Sequence, residues 1–142
     1  MNLKVFFLWL LTICFWGSAP LLEKLALKGM SPLFALTMRT GFAAIILVVA
    51  TSLTGEYREI SQLDSKTIIA ACLSGILAGV LGMFTYFSLL KIGQASKIVP
   101  LTATYPLVTA LLAYLFLGEK VSLMRLCGII LTVSGLIVLL RS

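Results

Sequence analysis

The chain has 142 residues, 61% of them hydrophobic and 11% charged, with a mean hydropathy of +1.13. So large an apolar fraction cannot be hidden inside a soluble domain of this length, so the composition excludes one and defines an integral membrane protein. The net charge is +6, yet no two basic residues are adjacent, as expected for interfacial lysines and arginines and not for a nucleic-acid surface; no polynucleotide partner is expected.

The charged residues fall mostly at the ends of five apolar runs. The predicted fold is therefore all-α, a polytopic bundle of five transmembrane helices at about 4–28, 32–53, 67–90, 98–117 and 122–140, in a single domain covering 1–142. Cys14, Cys72 and Cys127 each sit inside an apolar run without CxxC or Cys/His spacing, so they read as small apolar residues, and neither a metal site nor a cofactor is expected.

The first run begins like a signal peptide, with Lys4 before Val-Phe-Phe-Leu-Trp-Leu-Leu. However, Pro20 directly follows the small pair Ser18-Ala19 and four more apolar spans follow, so it is expected to be retained. Thr12, Trp16, Ala19/Pro20 and Glu23 recur at spacings of three and four and share one helical face. Trp16 lies too deep for an interfacial aromatic, a role that suits Trp9, and is a candidate either for packing or for lining a cavity.

Gly29-Met30-Ser31-Pro32 reads as a turn, with Gly29 as C-cap, Ser31 as N-cap and Pro32 opening the second helix, which makes the first two helices antiparallel neighbours. At 1.5 Å per residue Glu23 lies about 9 Å before Gly29 and Arg39 about 10 Å after Pro32. Their depths match, and ionisable groups within a membrane tend to pair, so Glu23 and Arg39 are predicted to form a charge pair or gate; the competing expectation is that Arg39 snorkels to the near surface.

Residues 54–66, with Glu56, Arg58, Glu59 and Asp64, form the one long polar connection and carry no visible chemistry. In the third span Gly75, Gly79, Gly82 and Tyr86 share a face, the first two as GxxxG, a pattern that lets helices pack closely; packing is the default role, and Tyr86 is the one member that is also a candidate for substrate contact. The fourth span carries Thr102, Tyr105 and Thr109 as a polar stripe flanked by Pro100 and Pro106. A proline in mid-span needs its freed carbonyl satisfied by hydroxyls, water or neighbouring helices, so this stripe points to a cavity, although threonines that bond back to their own helix explain it structurally. Gly118 is expected to end this helix and Ser122 to cap the next. Glu119 sits at the apex of that turn, solvated or, beside Lys120, in an ion pair with a neighbouring subunit. The fifth span has Gly128, Thr132 and Gly135 along one narrow strip on an otherwise Leu/Ile/Val surface, an oligomerisation pattern.

Phe15-Trp16-Gly17-Ser18, Ser31-Pro32 leading to Arg39, Ala95-Ser96, Tyr105-Pro106, Leu117-Gly118-Glu119 and the Gly128/Gly135 pair resemble, in that order, an EamA domain of the drug/metabolite transporter superfamily. The resemblance covers nearly the whole chain, and the proline, Leu-Gly-Glu and paired-glycine succession is its specific part. It implies one five-helix half of a machine usually built from two such units fused in opposite orientations around a cavity, exporting amino acids or other small metabolites. The glycines seven residues apart further resemble the dimerising helix of small multidrug resistance proteins, whose mid-membrane acid only Glu23 could replace here.

The reading that follows is a multi-pass protein of the cell (plasma) membrane whose partners are the lipid bilayer, a small-molecule substrate and a second half, in an antiparallel homodimer or a heteromer. It works as a transporter, by rocking of inverted units around a midplane site. Thr12, Trp16, Tyr86, Thr102, Tyr105 and Thr109 are the candidate lining. Alternatives are a flippase-like subunit for a lipid-linked headgroup and a non-transporting scaffold. With no His, no paired Asp and no GxSxG, an enzyme is not expected.

Orientation follows from counting. One face would carry Lys4, Arg58, Lys66, Lys120 and Arg125, the other Lys24, Lys28, Lys91, Lys97 and Arg141, with Arg39 near it. Lys/Arg bias sets orientation, and here there is almost none, so the chain is expected to insert both ways.

Overall fold

The computed structural model describes residues 2–119 and 122–141, apart from the side chains at 123, 125 and 140. Lys120 of the predicted turn pair therefore lies outside the described residues, as does the side chain of Arg125. The described chain is helical, and it divides into two compact units, Met1–Ile92 and Gly93–Ser142.

In the first unit α1 spans Leu3–Gly29, with the Asn2 side chain accepting from the Lys4 N–H at its start. Ser31 caps α2 (Pro32–Thr54) by accepting from Phe34 N–H, and Pro32, whose missing N–H has no intrahelical partner to lose, opens it. Gly29 does not take the left-handed capping conformation expected of it. It remains helical, and Met30, extended at φ −129°, ends α1. The left-handed glycine of this unit is Gly55 (φ 79°), which turns the chain out of α2 into a 3₁₀ helix, Glu56–Gln62. Asp64 then caps α3 (Ser65–Ser74), accepting from both the hydroxyl and the N–H of Thr67, and these bonds hold its carboxyl below the usual range. A π-helical segment, Gly75–Gly82, continues into α4 (Met83–Ile92).

The core of this unit is small and lies at one end. Leu27 near the end of α1, Ala35 and Leu36 near the start of α2, and Phe87 and Leu90 near the end of α4 are buried, Leu90 completely. Two lysines lock the same end. Lys24 Nζ donates to the Leu90 and Lys91 carbonyls of α4, while Lys91 Nζ donates to the carbonyls of Leu27 (2.8 Å) and Met30 (2.6 Å) at the end of α1. Each helix end thus has its orphan carbonyls capped by a cation from the other, which also offsets the negative pole of the helix dipole.

In the second unit α5 (Ala95–Thr102) and α6 (Tyr105–Leu117) are separated at Ala103-Thr104, so the continuous span expected over 98–117 is interrupted. Pro106 explains the break: it has no N–H for the carbonyl of Thr102 four residues back, its ring crowds that carbonyl, and it disfavours helical backbone at Tyr105. Gly118 ends α6 in the left-handed conformation (φ 65°) with Glu119 N–H donating to the Ala113 carbonyl at 3.2 Å, as its position predicts. Leu123–Arg141 forms α7, and Leu126 N–H reaches the Ser122 carbonyl.

Four stretches are long and apolar enough to cross a membrane: Leu3–Gly29, Pro32–Thr54, Ser65–Ile92 and Ala95–Leu117. Leu126–Leu139 is a shorter apolar helix, so the five predicted spans correspond to four clear ones and this shorter segment. Nearly all their large apolar side chains are exposed, Phe42 at 69% and Leu53 at 83% among them, which in water would be untenable and in a bilayer is the lipid-facing surface.

Candidate functional site

In the first unit a pocket of about 290 Å³ opens between α1, α2 and α4, lined by Ala19, Leu22, Glu23, Ala26, Ala35, Arg39 and Phe87. The two charges predicted to share a depth meet in it, Arg39 Nε standing 3.5 Å from Glu23 Oε1. The guanidinium also lies over the Phe87 ring, 6.0 Å from its centroid, within cation–π range. Tyr86, the neighbouring residue on α4, gives the Glu23 carboxyl a second polar partner. The walls are otherwise small: the alanines at 19, 26 and 35 leave the space that the charged side chains occupy. Arg39 thus meets a carboxylate and an aromatic face on the two helices beside it.

The second unit holds a larger cleft, about 830 Å³, whose walls include Thr104, Tyr105, Pro106, Thr109, Gly128 and Thr132. Its polar groups come from both α6 and α7, and its floor is small, with Ala110, Ala113 and Gly128. The threonines are not free rods of polarity. Thr109 Oγ1 donates to the Tyr105 carbonyl at 3.3 Å and Thr132 Oγ1 to the Gly128 carbonyl at 2.9 Å, so each hydroxyl spends its proton on its own helix and keeps only acceptor capacity.

The other candidate positions are distributed as follows. Thr102 is the last residue of α5, its hydroxyl shared between the Ile98 and Val99 carbonyls at 3.0 Å each, and it does not line the cleft with Tyr105 and Thr109. The helix break at 103–104 takes it off their stripe. Pro100 lies inside α5. Thr12 bonds back to the Leu8 carbonyl at 2.8 Å, and Trp16 is 70% exposed; neither enters the Glu23 pocket. At Gly75, Gly79, Gly128 and Gly135 an added Cβ would meet nothing within 4 Å, so no packing inside the chain explains their smallness. Phe87, Lys24 and Lys91 were not singled out from the sequence. Phe87 is one aromatic among many in an apolar run, and the lysines look like ordinary interfacial charges until the helix ends they cap are in view.

The described chain is a multi-pass α-helical membrane protein with a charge pair in its first unit and a polar cleft in its second. Residues 3–141 match the EamA-like transporter family, and the chain belongs to that family. It is 28% identical over 130 residues to an uncharacterised transporter encoded in the cobO 3′ region of Sinorhizobium sp., covering 92% of each chain. It is 33% identical over 130 residues to an uncharacterised protein of Methanocaldococcus jannaschii, covering 92% of this chain and 91% of that one. It is 26% identical to Protein PagO of Salmonella typhimurium strain LT2 over 95% of this chain, but only 43% of PagO. No solved structure matches. The chain is thus a membrane-embedded transporter domain, with the bilayer and a small molecule as its partners.

Proposed function

We propose that the protein exports a small organic metabolite, such as an amino acid, across the cell membrane, as a dimer of inverted five-helix units that alternate access to a shared site. The observation that carries this reading is the cleft between α6 and α7. Its volume falls in the range of roughly 300–1,000 Å³ usual for small-molecule sites, and Tyr105, Thr109 and Thr132 give it dispersed hydrogen-bonding capacity, with Glu119 the one ionisable residue in its wall. A site of that kind suits a solute that must be bound and released many times. The M. jannaschii and Sinorhizobium relatives are matched over nine-tenths of their own lengths, so units of this size recur in the family, and a half-sized unit needs a second half to enclose a pathway.

The test is accessibility combined with transport. In a background lacking Cys14, Cys72 and Cys127, cysteines placed singly at Tyr105, Thr109 and Thr132 should react with a small polar thiol reagent in proteoliposomes. Transported solutes, identified by efflux from the same vesicles with a panel of amino acids, organic cations and lipid-linked precursors, should slow that reaction. Silence at all three positions favours a scaffold, and protection by the lipid-linked compounds alone favours a flippase.

A further inference from the structure

The stretch joining α3 to α4 is π-helical over Gly75–Gly82, and its last turn carries the wide bond directly: Met83 N–H reaches the Ala78 carbonyl five residues back as well as that of Val80. Such turns are uncommon and hold one residue more than an α-helical turn. Three glycines, at 75, 79 and 82, make the backbone there easy to rewind. An added Cβ at Gly82 would stand 3.1 Å from the Leu77 carbonyl oxygen, a contact the wide turn creates, whereas at Gly79 it would meet nothing.

Immediately after this segment come the residues by which α4 meets the charged pair and the end of α1. Tyr86 partners Glu23, the Phe87 ring underlies Arg39, Leu90 is fully buried, and Lys91 caps the end of α1. All four depend on which side of α4 faces α1 and α2. One residue of register is about 100° of rotation, so relaxing the π turn to α-helix, with no other change, would carry all four away from their partners together.

We propose that Gly75–Gly82 is a register switch: in its π form α4 presents Tyr86 and Phe87 to the Glu23–Arg39 pair, and in its α form α4 rotates and takes both side chains away from it. The switch is a property of the first unit and does not rest on what the protein transports.

The experiment is a distance measurement between spin labels at Lys28→Cys and Leu89→Cys, both exposed, in cysteine-free protein reconstituted in lipid nanodiscs. Rotation moves the label on α4 by up to about 8 Å, so the parent should show two distance populations. Deleting Val80 removes the extra residue while leaving α4 in its original register, and should leave only the population matching the structure. Gly82→Ala, which crowds the wide turn, should shift the balance the opposite way, and Gly79→Ala should leave it unchanged. A single distance in the parent that Gly82→Ala does not alter overturns the switch. So does a Val80 deletion that displaces the Leu89 label, which is what removing a residue from an ordinary helix does.

Discussion

Arg39 Nε stands 3.5 Å from Glu23 Oε1, with the Glu23 side chain 11% exposed and that of Arg39 49%. The asymmetry sets the size of the effect. The carboxylate is nearly covered, so it depends on its partner, while half of the arginine can find other company. Glu23→Gln and Arg39→Gln should each destabilise the protein more than the double variant does. Their coupling should be about 1 kcal/mol, at the upper end for exposed pairs and short of the cost of breaking a fully buried one. Equilibrium unfolding in mixed micelles measures it, and strictly additive losses would mean the two side chains act independently.

The reciprocal lysines make a second prediction. Lys91→Met should remove the donor shared by the Leu27 and Met30 carbonyls and lower stability by about 1 kcal/mol. Lys24→Met should do the same at Leu90 and Lys91. Lysine-to-arginine changes, which keep charge and donors, should recover part of each loss. Amide exchange should quicken at both helix ends in either methionine variant, since both cations join α1 to α4. If either variant frays only the end it caps, the two helix ends are not coupled.

Topology supplies the third. Five Lys/Arg residues on one face against five on the other, plus Arg39, give no instruction on which way to insert. Two C-terminal reporters, one active only in the cytoplasm and one only outside, should therefore both be active on the native chain. Two lysines added to one face should silence one of them. A single active reporter on the unaltered chain would replace the antiparallel homodimer by a heteromer with an oppositely fixed half.

The features legible in the sequence are those that local chemistry sets. Hydropathy marks the spans, the hydroxyl of Ser31 and the ring of Pro32 fix the turn into α2, and Gly118 supplies the left-handed cap that a side chain would resist. Even the Glu23–Arg39 pair was within reach, because two antiparallel helices joined by a short turn place equal numbers of residues at equal depth. Rotation between helices is another matter. A soluble helix declares its inner face by an apolar stripe, but here lipid and core are equally apolar, and α1 is greasy nearly all round, so no stripe says that Phe87 lies beneath Arg39 or that Lys24 and Lys91 each cap the other's helix. The Gly75–Gly82 π turn is likewise invisible to a reading that assumes 3.6 residues per turn: its glycines read as a packing motif, and only the tertiary structure shows the wider winding with Phe87, Leu90 and Lys91 set against the other helices beyond it.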